Sequence, residues 1–144
     1  MLARASQERG AALIETAFIM PLLLLLSVSV FEFGRAFQYW QVLTNAAREG
    51  ARIAVLPGTS DAAIASRVQT YLSAGQLAEP DNAIVAIVRN DEISIGASTA
   101  PASTITVSYP FEFMVLQPVA QIVVSGSTVG AAMTMTASST MRNE

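Results

Sequence analysis

The chain has no cysteine and no histidine, and all eight of its basic residues are arginine. Without cysteine there is no disulfide, no thiolate nucleophile and no cysteine-ligated zinc, and nothing marks the redox compartment. Without histidine the commonest general base and metal ligand is missing. Charge is scarce too. Asp, Glu and Arg make up 13% of 144 residues, and a net charge of -3 with a pI near 4.9 provides no basic footprint for phosphate. This inventory points to a protein that is not an enzyme, carries no cofactor or resident metal, and binds neither nucleic acid nor a small-molecule substrate.

What is abundant is apolar surface. At 52% hydrophobic residues and a mean hydropathy of +0.47 the chain is more apolar than an ordinary soluble domain, so part of it should face lipid or a partner. From Thr16 to Phe31 no residue is charged, and counted from Ala11 the apolar segment spans about 31 Å at about 1.5 Å per helical residue, the thickness of a bilayer core. Twelve Leu, Ile, Phe or Val residues between Leu13 and Phe31 favour insertion by roughly 4 to 7 kcal/mol. One carboxylate near the end of the segment, Glu15, costs less than that. Pro21 falls inside the segment, removes one backbone hydrogen bond and is read as a kink in the membrane helix.

Arg4 and Arg9 precede the segment while Arg35, Arg48 and Arg52 follow it, so the count of positive charges does not fix orientation. The short leader, and Glu32 placed one helical turn from Arg35 where it offsets that charge, favour a cytoplasmic N-terminus. A cleaved secretory signal ending at Ser27-Val28-Ser29 is the competing reading, disfavoured because that triplet is embedded in apolar residues.

Beyond Phe31 the helical period continues, with Phe33, Phe37, Trp40, Leu43, Ala47, Ala51 and Ala54 recurring every three or four residues until Pro57-Gly58 stops it. One helix from about Ala11 to Val55 is therefore expected, its outer half carrying a packing stripe led by Phe33, Phe37, Trp40 and Leu43. Arg48, Glu49 and Arg52 form a candidate ion-pair cluster on its surface. Ser60 or Thr59 caps a short second helix with Ile64, Val68, Tyr71 and Leu72 on one face and Gly75 past its end. Then come two strands, AIVAIVR and EISIGAS, joined by a turn at Asn90-Asp91. TITVSYPFEF is the clearest strand, FMVLQPVAQIVVSGSTVG an apolar loop or interrupted short element, and AAMTMTASSTM a closing strand.

The expected fold is α+β: a long N-terminal membrane-spanning helix continues outside the membrane and packs against a small antiparallel sheet of four strands with one short extra helix. Its parts are a basic leader (1–10), a membrane helix (11–31), an extension of the same helix (32–56) and an outer domain (57–144). Gly126-Ser127-Thr128-Val129-Gly130 lacks the pattern of a nucleophile elbow and reads as a turn. Asp91-Glu92 reads as a solvated pair, and a Ca2+ site drawn from Asp81, Asp91 and Glu92 matches no EF-hand spacing.

Arg9-Gly10 followed by Ala11-Ala12-Leu13-Ile14-Glu15 looks like a type IV prepilin processing site. More closely, RGAALIETAFIMPLLLLLSVSVFEFGRAF with TNAAREGAR resembles the TadE-like family of pseudopilins of the tight-adherence (Flp-type) pilus systems. ITVSYPFEF and MTMTASSTMRNE look like the C-terminal part of such proteins. The resemblance is strong over residues 9–56, moderate over 104–143 and thin between. It implies a pilin-like fold, cleavage by a prepilin-type peptidase between Gly10 and Ala11, and Glu15 as the fifth residue of the mature chain. It implies a single-pass protein of the bacterial inner membrane, with a cytoplasmic N-terminus and an extracytoplasmic C-terminal domain. The partners it implies are other pseudopilins, the major pilin and the pilus assembly platform. Thr16 stands where major pilins usually carry an aromatic residue, and the outer domain is additional, so a minor component is implied rather than the bulk subunit. An uncleaved, membrane-tethered binding module unrelated to a filament is the alternative that the residues leave open.

Overall fold

A computed structural model describes residues 2–96 and 98–143, with the side chains of 2–9, 11, 95, 122 and 123 lying outside the described set. The chain divides into two compact units, Met1–Gly34 with Phe113–Ala131, and Arg35–Glu112 with Ala132–Glu144.

The long helix α1 runs Leu2–Ala54, with Pro21 inside it. It begins nine residues before the expected Ala11, so residues 2–10 are helical too, and it ends at Ala54, ahead of Pro57. In the first unit its apolar residues face outward: Leu13 is 72% exposed and Phe18 80%. Such exposure over an uncharged run is what a lipid-facing helix requires. Residues Ala12–Ala54 contain the one helix among the described residues long and apolar enough to cross a membrane. Hydroxyls inside the run bond back to the helix, Thr16 to the Ala12 carbonyl and Ser27 and Ser29 to the carbonyls of Leu23 and Leu25, each at 2.8 Å. Each hydroxyl thus satisfies itself in the way a membrane interior demands.

The first unit also holds α3, Leu116–Val123. The apolar loop expected here is a helix, and Pro118 is tolerated because it falls in the first turn, where no intrahelical N–H is needed. Gly130, at φ 74°, closes the following loop onto α3: a β-carbon there would stand 2.7 Å from the Gln117 backbone nitrogen. Both the backbone angle and the close approach require glycine.

In the second unit residues 35–54 of α1 present Ala36, Tyr39, Leu43, Ala46, Ala47, Ala51 and Ala54 to the core. This corrects the expected packing stripe. Leu43 is buried, but Phe37 and Trp40 stay about half exposed on another face, and Phe33 belongs to the first unit and is exposed. Small residues took the inward positions because they let the neighbouring elements come close. Helix α2, Asp61–Ala74, is capped by the Ser60 hydroxyl, which accepts the Ala63 N–H, and buries Ile64, Val68 and Leu72 as expected. Tyr71 is partly exposed.

The sheet has three antiparallel strands in the order β1 (Ile84–Ile95), β2 (Ser98–Phe111), β3 (Met133–Arg142). Four strands were expected, and the difference lies at Asn90. Pairing runs from Ile84↔Ser108 to Arg89↔Ser103 and resumes at Asp91↔Ala102, so Asn90, at φ 56°, is the extra residue of a bulge within one strand rather than a hairpin turn. The chain reverses after Ile95 instead, where Gly96 adopts φ 64°. Two short helices and a single 3-10 turn at Pro80–Asn82 replace the one extra helix expected.

One sheet face is the core, with Ser103, Ile105, Val107, Tyr109 and Phe111 of β2 and Met135 and Ala137 of β3. Full burial of each aliphatic member stabilises the fold by about 1.5–3 kcal/mol. On the opposite face Thr104, Thr106 and Ser108 pair across the strands with Thr140, Ser138 and Thr136, hydroxyl to hydroxyl at 2.8, 3.1 and 3.2 Å.

Candidate functional site

The residues singled out from the sequence fall into three places. At the start of the uncharged run, Gly10 is partly exposed with nothing within 4 Å of a β-carbon placed on it, and Glu15 is exposed one turn beyond, with the Ala11 side chain outside the described set. Both lie within helical backbone. A carboxylate on an apolar helix flank costs free energy in a lipid setting unless a cation meets it.

The second place is the end of the same run. Glu32, the residue after Phe31, is 5% exposed, and its Oε1 accepts the N–H groups of Met114 and Val115 at 3.0 and 2.9 Å. These amides precede α3, so a carboxylate 82 residues upstream in sequence holds the start of that helix. Phe33 meets Phe113 edge to face at 5.9 Å beside it. Charge-assisted bonds to two amides are the strong kind, and a buried carboxylate needs them.

The third place lies in the second unit. Glu49 accepts from Arg52 Nε and Nη2 at 2.9 and 2.8 Å, and from Arg67 Nε of α2 at 3.1 Å. The Arg52 hydrogen bonds, reinforced by Arg67, hold its carboxyl down at about 2. The expected cluster is therefore corrected in one member: Arg48 is exposed and, among the described residues, it is Arg67 rather than Arg48 that joins Arg52 on Glu49. Sequence reasoning missed Arg67 because its partner lies 18 residues away on another helix, where no i, i+4 rule reaches.

Arg35 is fixed in the same unit, where its Nη2 donates to the Glu112 carbonyl at 2.5 Å and its guanidinium lies 4.7 Å from the Phe111 ring centre. Tyr39 stacks edge-on against Tyr109 and Phe111, and its hydroxyl accepts the Ala78 N–H at 3.1 Å. Between α1 and α2 a groove of about 570 Å³ is lined by Phe37, Gln41, Val42, Tyr71 and Gly75, amide and aromatic groups without a carboxylate or guanidinium. Phe37 stacks with Trp40 at 6.3 Å beside it. Among the described residues no group of three or more acidic residues is arranged to hold a metal. Asp81 instead accepts from Gln69, and Asp91 from Thr104 and the Glu92 N–H.

Gly10, the carboxylate of Glu15 and the outward-facing apolar helix all fall within one matched stretch of the chain. Residues 10–52 fit the family model for TadE-like protein. Over this stretch the chain is similar to TadE-like proteins. The matched segment takes in Gly10, Glu15, Glu32 and Glu49. It ends before α2, the sheet and α3 begin. No curated protein and no solved structure matches the chain. The matched residues cover most of the helix that is long and apolar enough to cross a membrane.

Proposed function

We propose that this protein is a bitopic pseudopilin, a minor component that initiates, primes or caps a tight-adherence pilus rather than catalysing a reaction. The TadE-like match over residues 10–52, laid on a helix whose apolar face is open, is the observation that carries this reading. The N-terminus is cytoplasmic, and the domain built on residues 35–112 and 132–144 lies outside the inner membrane. A prepilin-type peptidase cuts after Gly10, which leaves a free amine on Ala11. Glu15 neutralises that amine on a neighbouring subunit as helices pack. At an effective dielectric of about 20, such a pair 4 Å apart gains on the order of 4 kcal/mol before desolvation is subtracted, enough to set register. Other pseudopilins, the major pilin and the assembly platform are the partners.

The test is Glu15→Ala in the native host. Pili should be lost while the protein still fractionates with the membrane in normal amount. Normal piliation in that variant would remove the assembly role from Glu15 and leave a tethered module in its place.

A further inference from the structure

The segment 113–131 contains no Asp, Glu, Lys or Arg in 19 residues. A water-facing segment of that length ordinarily carries charge, and this one instead exposes Met114 (71%), Val124 (59%) and Val129 (58%). Its position within the first unit is fixed. The amides of Met114 and Val115 are held by Glu32, and Phe113 rests on Phe33, so the segment is pinned at the end of the uncharged run that closes with the exposed Phe31.

We infer that α3 and its flanking loop form a second membrane contact, lying in the boundary between lipid headgroups and acyl chains where the long helix leaves the bilayer. This rests on residues 11–31 spanning the membrane. If they do, Glu32 stands at the interface, and the residues hydrogen-bonded to it stand at the same depth. The apolar surface of the segment then continues that of the helix, with Met114, Val124 and Val129 turned to lipid. Gln117, Gln121, Ser125 and Thr128 supply uncharged polar groups for the headgroup side. Because the segment has no cations, its contact needs no anionic lipid and does not weaken with salt. The burial of Glu32 is consistent with this arrangement, its carboxylate accepting two amide N–H groups where water is scarce.

The absence of cysteine makes the test direct. Full-length variants Met114→Cys, Val124→Cys and Val129→Cys, with Leu24→Cys as depth reference and Thr136→Cys on the hydroxyl face of the sheet as control, are labelled with an environment-sensitive fluorophore. They are then reconstituted in phosphatidylcholine vesicles carrying a nitroxide at a shallow acyl position or, in a second set, at a deep one. The expected result is blue-shifted emission and loss of fluorescence to the shallow nitroxide at 114, 124 and 129. A deep nitroxide should quench at 24, and neither should act at 136. Quenching at 24 without quenching at 114, 124 and 129 would overturn the inference while the membrane span stands, and would point to a protein covering the segment. Failure at 24 as well would remove the span and the inference together. Equal quenching at 136 would mean unspecific adsorption and would also overturn it.

Discussion

Gly50 of α1 stands so close to Val68 of α2 that a β-carbon on the glycine would lie 2.7 Å from Val68 Cγ2, with Ile105 Cγ2 of β2 at 3.1 Å. Val68 and Ile105 are both fully buried and β-branched, so neither has a free rotamer to yield. Gly50→Ala should therefore destabilise the second unit by about 1–3 kcal/mol, despite the better helix propensity of alanine. Thermal unfolding followed by circular dichroism measures this, and an unchanged or raised midpoint would contradict the packing described.

Tyr39 carries two roles that one substitution separates. Its ring fills the space against Tyr109 and Phe111, and its hydroxyl accepts the Ala78 N–H at 3.1 Å. Tyr39→Phe keeps the ring and leaves that part-buried amide without its acceptor, for a loss of about 1–2 kcal/mol. Faster hydrogen exchange at Ala78, with the strand amides of β2 unchanged, is the expected local signature.

The carboxyl of Glu49 is held at about 2, first by hydrogen bonds from Arg52 and then by Arg67, against a usual value of 4.5. A carboxyl with a depressed value contributes stability that is fully present above its unfolded value and is lost as pH falls through the folded one. Glu49→Gln should thus flatten the decline in unfolding stability between about pH 4.5 and about pH 2, and alter little at neutral pH beyond a constant offset. An acid limb with the same slope in both proteins would show that the cluster does not couple to folding.

Much of this architecture is legible in local sequence. The helix end before Pro57, the Ser60 cap, the Ile64, Val68 and Leu72 face, and the alternation of Ile105, Val107 and Tyr109 all rest on neighbours within a turn or a strand. What escaped was set by distant groups. Asn90-Asp91 carries turn residues, yet β2 is long enough to pair on both sides of it, and the pairing absorbs Asn90 as a bulge. Aromatics at helical spacing suggested the core stripe, whereas the inward face carries alanines and Gly50, which lets Val68 and Ile105 come close, and Phe37 and Trp40 lie outside it. The sequence reading of Glu32, as an offset for Arg35, did not extend to its second set of partners. Its bonds to Met114 and Val115 depend on a chain reversal 82 residues later that no local pattern announces.

The most direct test of the assembly role is the intact mass and N-terminal residue of the protein extracted from its native membrane. A chain beginning at Ala11 is the predicted result, since it means that a pilin-class peptidase reads Gly10 and its downstream helix. A chain that still carries residues 1–10 would contradict the account and return Glu15 to being a charged residue in an anchor.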